Sequence, residues 1–144
     1  AKKIHSKNKS IVLAGGFFDI LHAGHIKFLE SSKKCGDYLF VLLENDDKAR
    51  NVKGKNRPIN SQRERAIILS TIKNVDYVIL LKNMTNNNQY DKIIIQIAPN
   101  IITTTDRDPY INHKKRQANL VNGKVICVIK RIYDRSTTQL VKLI

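Results

Sequence analysis

Short apolar runs alternate along the chain with longer stretches whose apolar positions recur at helical spacing. Residues 11–14 read as a strand that runs into Gly15-Gly16. Residues 26–35 carry Ile26, Phe28 and Leu29 with helix-forming Lys and Glu between, and Gly36 is expected to stop that helix. Tyr38–Leu43 is a continuous apolar run, the pattern of a parallel strand covered on both faces. Residues 45–60 are polar, contain Gly54 and Pro58, and read as a loop. Asn60 or Ser61 then caps a helix reaching Ile72. Further strands are expected over 77–81, 101–104 and Lys124–Ile129, with helices over 90–97, 112–121 and, capped by Ser136, 136–144. The Asn-rich residues 83–88 read as a loop.

This alternation predicts a Rossmann-like α/β fold: an open, mainly five-stranded parallel sheet with helices on both faces. Such sheets bind ligands outside the carboxyl ends of their strands, where the strand order reverses. The pattern shows no repeat. Residues 1–9 read as a basic N-terminal extension and residues 10–144 as a single domain, in line with the usual ~150 residues per domain.

Charge narrows the partners. Lys+Arg 26 against Asp+Glu 12 gives a net charge of +14, which favours phosphates, nucleotides, nucleic acid or an anionic surface. No run approaches the ~18 apolar residues of a membrane span. The basic, polar start lacks the apolar core of a secretory signal. No membrane partner and a cytoplasmic location are therefore expected. Cys35 and Cys127 stand far apart and read as buried or semi-buried free thiols of a reducing compartment. A structural zinc site takes about four ligands, and no Cys/His cluster supplies them, so no protein-held metal is expected. Nucleic acid is disfavoured as a partner. His113-Lys114-Lys115-Arg116 and Lys2-Lys3 would be its patches, but aromatic content is 6% and no RNA-binding aromatic motif appears.

The candidate chemistry lies directly after the first strand, in Gly15-Gly16-Phe17-Phe18-Asp19-Ile20-Leu21-His22-Ala23-Gly24-His25. Glycines there let the backbone approach a phosphate closely. A helix N-terminus adds free N–H donors and partial positive charge. His22 and His25 are three apart and face the same way on a first helical turn, with side-chain-free Gly24 between them. Two imidazoles and a helix end thus converge on one anion. Zinc binding by the pair lacks a third ligand nearby.

Residues 16–25 resemble the G-x-F-D-x-L-H-x-G-H motif of the HxGH nucleotidyltransferases, within the wider HIGH superfamily. Gly36-Asp37-Tyr38-Leu39 is similar to the family's G-D-x-L, and Lys53-Gly54-Lys55-Asn56-Arg57-Pro58 to its K-G-x-x-R-P loop. Glu64-Arg65, Val75-Asp76-Tyr77-Val78 and Ser136-Thr137-Thr138 continue the match in order, nearly to the chain's end. The resemblance implies transfer of a nucleoside monophosphate from ATP or CTP to a phosphorylated small molecule, with release of pyrophosphate. It implies that His22, His25 and Lys53 carry catalysis. Gly16, Phe17, Phe18, Asp19, Gly24, Arg57, Arg131, Ser136 and Thr137 would bind the nucleotide. Asp19 is expected to order its loop rather than act as a base, since the acceptor phosphate is already anionic. Mg²⁺ is implied with the triphosphate, held through phosphate oxygens. Family members are commonly dimers, which keeps a homodimer among the expected states.

The motifs look most like the branch that joins ATP to heptose 1-phosphate. Glycerol-3-phosphate cytidylyltransferase and archaeal-type FAD synthase are the rivals. In the heptose branch a sugar kinase domain often accompanies this one, and 144 residues leave no room for it. That branch has V-K-G-G-D-Y after the fourth strand. Here Thr103-Thr104-Thr105-Asp106-Arg107-Asp108 keeps only the aspartate, Asp106, for a loop expected to face the base or the acceptor.

Overall fold

The computed structural model describes residues 1–130 and 140–142. Among these residues, five strands form one parallel sheet: β1 (Ile11–Gly16), β2 (Tyr38–Leu43), β3 (Tyr77–Leu80), β4 (Ile101–Thr105) and β5 (Lys124–Ile129), in the order β3-β2-β1-β4-β5. Within residues 1–130 the helices are α1 (Lys2–His5), α2 (Ala23–Lys33), α3 (Asp46–Lys53), α4 (Gln62–Ser70), α5 (Asn87–Ile97) and α6 (Ile111–Asn119). The expected α/β architecture is what the chain adopts. Among the described residues, no helix is long and apolar enough to cross a membrane.

The period-two alternation of the central strands builds two cores. Ile11, Leu13, Phe40, Leu42 and Ile102 point to one face, where Ile94 and Ile97 of α5 and Ala118 of α6 cover them. Val12, Ala14, Leu39, Val41 and Leu43 point to the other, under Phe28 and Leu29 of α2 and Leu69 of α4. Residues 1–9 join this body. Ile4 packs on the first core, and a His5 ring nitrogen lies 3.1 Å from the Ile97 carbonyl.

The sheet opens where a ligand would enter. β1 pairs with β2 along its whole length, Ile11 with Tyr38 through Gly16 with Leu43. It pairs with β4 only at Val12 and Leu13. Beyond Leu13 the two strands part, at the position where the chain's strand order reverses.

Several expected boundaries move, each for a local reason. Residues 45–60 are not all loop: Asp46–Lys53 is a helix. Asn45 caps it by accepting from the Lys48 N–H at 2.7 Å, Asp46 and Asp47 fill the first turn, and Arg50 and Lys53 the last. Only Ala49 is buried, so no apolar stripe announces it. Gly54, at φ +110°, ends it. α5 starts at Asn87 because Asn86 caps it, which takes up the end of the Asn-rich run. α2 starts at Ala23, which brings both histidines to its first turn, and ends at Lys33. Gly36 does not terminate it; a Cβ there would meet Ser10 Oγ and Val12 Cγ2 at 2.7 Å, so Gly36 serves close packing on β1. Cys35 is half-buried, whereas Cys127 is exposed, on the outermost strand β5; both are free. The last helix expected from Ser136 lies largely outside the described residues.

Candidate active site

The strand-to-helix turn after β1 fixes the histidine pair. His22 is the N-cap of α2, with extended backbone, and its Nδ1 accepts from the Gly24 N–H at 3.1 Å. That bond puts the proton of a neutral His22 ring on Nε2. The His22 and His25 rings lie 3.9 Å apart, and Phe18 packs on His25 at 5.3 Å. His25 Nδ1 is buried with no hydrogen-bond partner among the described residues. Burial, and then the neighbouring His22, lower the His25 pKa to about 4; burial lowers that of His22. Both rings are therefore neutral at pH 7, at the positive end of a helix. Phe18 takes a left-handed backbone, φ +48°, and its ring sits where a Cβ on Gly16 would come within 3.0 Å. Gly16 therefore has no room for a side chain.

A buried clamp holds this turn. The Asp19 carboxylate accepts from Arg57 Nε at 2.6 Å, the Ile59 N–H at 2.9 Å and the Asn60 N–H at 3.0 Å. Asn60 Nδ2 donates back to the Asp19 carbonyl at 3.1 Å. Burial works against the charge on Asp19, but these donors outweigh it and hold the carboxyl below its ordinary range. Arg57 is 8% exposed, so its guanidinium is engaged in this pair at the cleft's edge.

Arg65 is the scaffold residue that motif reading left without a role. It is fully buried. It donates to the carbonyls of Phe17 (2.5 Å), Glu44 (3.0 Å) and Asn60 (3.0 Å) and pairs with Asp46 at 2.6 Å. One side chain thus ties the loops after β1 and β2 to the start of α4. Its signal was in the sequence: Arg65 stands four residues before buried Leu69, on the apolar face of α4.

The cleft above the strand ends has a volume of about 660 Å³. Gly16, Phe17, Phe18, Asp19, His22, Gly24, His25, Lys53 and Arg57 all line it, so the structure brings these sequence-derived residues together. Lys53 ends α3, its Nζ 5.8 Å from the centre of the Phe17 ring. Arg131, Ser136 and Thr137 lie outside the described residues.

Two flanks complete the cleft: the one after β2 was not foreseen, while the loop after β4 was expected to face the base or the acceptor. On the β2 side, Tyr90 Oη lies 3.0 Å from both Glu44 oxygens, and Lys48 Nζ donates to Tyr90 Oη at 2.9 Å. On the β4 side, Asp108 pairs with Lys114 at 2.7 Å and accepts from Thr104 Oγ1 at 2.5 Å. Here Thr105 and Asp108 line the cleft, and Asp106 stands between them with its N–H on the Ile129 carbonyl. Of the two threonines that stand where the family has glycines, Thr104 is buried and Thr105 lines the cleft. Thr103 and Thr104 are buried, and Thr103 Oγ1 accepts from Ser32 and donates to the Leu13 carbonyl. Among the described residues, no group of three His, Cys, Asp or Glu is placed to hold a metal ion.

The cytidylyltransferase-like family model matches residues 13–142, spanning all of these features. The chain belongs to the cytidylyltransferase-like family. The family expected from the motifs, and with it the nucleotidyltransferase class, is the one found. The Bifunctional protein HldE of Wolinella succinogenes is 39% identical over 144 residues, 100% of this chain and 29% of that protein. Its namesake from Desulfatibacillum aliphaticivorans is 34% identical, over 98% of this chain and 28% of that protein. The chain thus spans less than a third of the length of these relatives. Among solved structures, the lipopolysaccharide core biosynthesis protein from Thermoplasma volcanium superposes with a TM-score of 0.69 at 34% identity, covering 88% of this chain and 99% of that one. A pantoate-beta-alanine ligase from Francisella tularensis, TM-score 0.67 and 16% identical over 99% of this chain and 71% of that one, shares the fold alone.

Proposed function

We propose that this cytidylyltransferase-like domain transfers the adenylyl group of ATP to the phosphate of a sugar phosphate, heptose 1-phosphate being the acceptor that its motifs and relatives favour. An acceptor phosphate oxygen attacks the α-phosphorus. The bond from the α-phosphorus to the bridging oxygen breaks, and pyrophosphate leaves with the electron pair. No proton need be removed from the nucleophile, so positioning and charge stabilisation are the protein's task.

The observation that carries this reading is the pair of neutral imidazoles stacked at the N-terminus of α2, beside the opening between β1 and β4. Their N–H groups and the helix end offer donors to the phosphate oxygens, which gain charge as the bond breaks. Lys53, at the cleft's edge, adds a full positive charge for the leaving pyrophosphate. Mg²⁺ would arrive with the triphosphate and neutralise part of its charge. The described residues form no three-ligand site for it, so phosphate oxygens would be its main ligands. A reaction on ATP and a sugar phosphate suits the cytoplasm.

The test is pyrophosphate release with Mg²⁺, crossing ATP and CTP against heptose 1-phosphate, glycerol 3-phosphate and FMN. Turnover with ATP and heptose 1-phosphate is expected. Turnover with CTP and glycerol 3-phosphate alone would move the domain to the cytidylyltransferase branch. No turnover, together with no rise in melting temperature on adding either nucleotide, would overturn the reading.

A further inference from the structure

A cleft built for phosphates, in a chain of net charge +14, holds two carboxylates that neither the histidine turn nor its clamp uses, Asp108, paired with Lys114, and Glu44. Glu44 directly follows β2 at the strand's carboxyl end. Its side chain lines the cleft, and Tyr90 of α5 and Lys48 of α3 meet it there. An ionised carboxylate offers about four acceptor positions. Among the described residues the Tyr90 hydroxyl is its only hydrogen-bond donor, and no ion pair engages it. Acceptor capacity is therefore left over on the cleft side.

We infer that Glu44, positioned by Tyr90 and flanked by Lys48, binds the hydroxyl-bearing part of the acceptor and so sets which phosphorylated compound this domain uses. This rests on the transfer reading above. Like charge keeps phosphates away from the carboxylate, so this flank suits the uncharged body of a substrate whose phosphate lies nearer the histidines. Hydroxyls both donate and accept: the Glu44 carboxylate accepts hydrogen bonds from them, and the Lys48 ammonium donates to their oxygens. A cationic acceptor fits less well, because it would meet Lys48. A sugar ring or polyol chain, with neighbouring hydroxyls, matches the pair.

The experiment compares the wild type with Glu44→Ala, using ATP with heptose 1-phosphate and a set of its mono-deoxy analogues. In the wild type, loss of the recognised hydroxyl should raise the acceptor KM at least ~tenfold, as for a hydrogen bond to a charged group. Glu44→Ala should raise the KM of the full acceptor by a similar factor and leave the KM for ATP within about twofold. It should also use the parent and that deoxy analogue equally well, an outcome that a merely structural role would not produce. Glu44→Met, of similar size and without an oxygen acceptor, is read in the same way if the alanine variant does not fold. Discrimination unchanged from the wild type, or a parallel rise in the KM for ATP, would overturn the subsite while leaving the transferase. A gain for phosphocholine from Glu44 would overturn the hydroxyl assignment. Failure of the wild type to turn over any acceptor, together with no rise in melting temperature on adding either nucleotide, would overturn the transfer reading itself.

Discussion

Asp19 and Glu44 are carboxylates just beyond neighbouring strands, and the chain surrounds them in opposite ways. Asp19 is 3% exposed and its oxygens are taken up by Arg57 and two backbone N–H groups. Burial opposes its charge, yet the donors win and its pKa falls. Among the described residues Glu44 has one hydrogen-bond donor, Tyr90. Burial pushes its pKa up, and Lys48, Tyr90 and Arg65 only partly pull it back. A buried carboxylate with its acceptor positions filled is part of the frame. One left short of donors is kept at some cost to stability, which the inferred acceptor subsite would explain.

The largest expected effect breaks the frame. Asp19→Ala leaves the Arg57 guanidinium buried without its partner, a loss of ~3–5 kcal/mol. Thermal melting at pH 7 should show it. Glu44→Gln should instead melt within ~0.5 kcal/mol of the wild type or above it, because the amide removes a charge that burial disfavours. The pH dependences oppose each other too. The Asp19 contribution is present above its unfolded pKa of 3.8 and is lost as the pH falls through its lower folded value. Glu44 stabilises the fold most when protonated, and that contribution is lost as the pH rises through its raised folded value. Equal losses in the two variants at pH 7 would erase the contrast.

His25→Ala comes next. Among the described residues the ring makes no hydrogen bond through Nδ1, so the frame loses little, but on the proposed mechanism turnover loses a donor to the phosphates. A fall in kcat of ~10²–10³ is expected, with nucleotide-induced stabilisation as the check on folding. Near-normal turnover would remove His25 from the chemistry.

The same ring gives a pH effect with a definite sign. Its folded pKa of about 4 lies below the unfolded 6.5, so the fold favours the neutral form. Stability from this group is present above pH 6.5 and is lost as the pH falls towards 4, by up to ~3 kcal/mol. A bound triphosphate should reverse the preference, because negative charge beside the ring favours the imidazolium. Calorimetry near pH 6, in buffers of different ionisation enthalpy, should therefore report proton uptake on ATP binding. Binding without uptake would place the phosphates away from this ring.

The residues that the sequence made legible share one property: their role is written locally. The strands at Tyr38–Leu43 and Lys124–Ile129 stand where their apolar runs place them. The histidine pair is legible because three residues and a helix start suffice to align it. The helix Asp46–Lys53 was not, because it buries only Ala49 and rests on its cap and end charges. The Glu44–Tyr90 contact spans 46 positions, and Arg65 reaches back 48 residues to Phe17. Sequence spacing carries no trace of such meetings. In the run Thr103-Thr104-Thr105, two threonines in place of glycines read as a loss of close backbone approach at a ligand loop. Thr103 and Thr104 prove to be buried hydroxyls serving the fold and the Asp108 flank.

The smallest expected effect tests whether the clamp on Asp19 depends on how α4 begins. Ser61 caps α4 in a reciprocal box: its hydroxyl accepts from the Glu64 N–H at 3.4 Å, while the Glu64 carboxylate accepts from the Ser61 N–H at 2.8 Å. The residue before it, Asn60, holds Asp19 through its backbone N–H and side-chain amide. Ser61→Ala should cost ~1 kcal/mol in thermal melting, the ordinary price of a lost cap. Turnover should stay within about twofold, since Arg65 still fixes the start of α4 to the carbonyls of Phe17, Glu44 and Asn60 and changes at independent sites add. A fall in kcat as large as that of His25→Ala would mean that the histidine turn is held through the helix cap, and the separation between the Asp19 frame and the Glu44 flank would fail at its own edge.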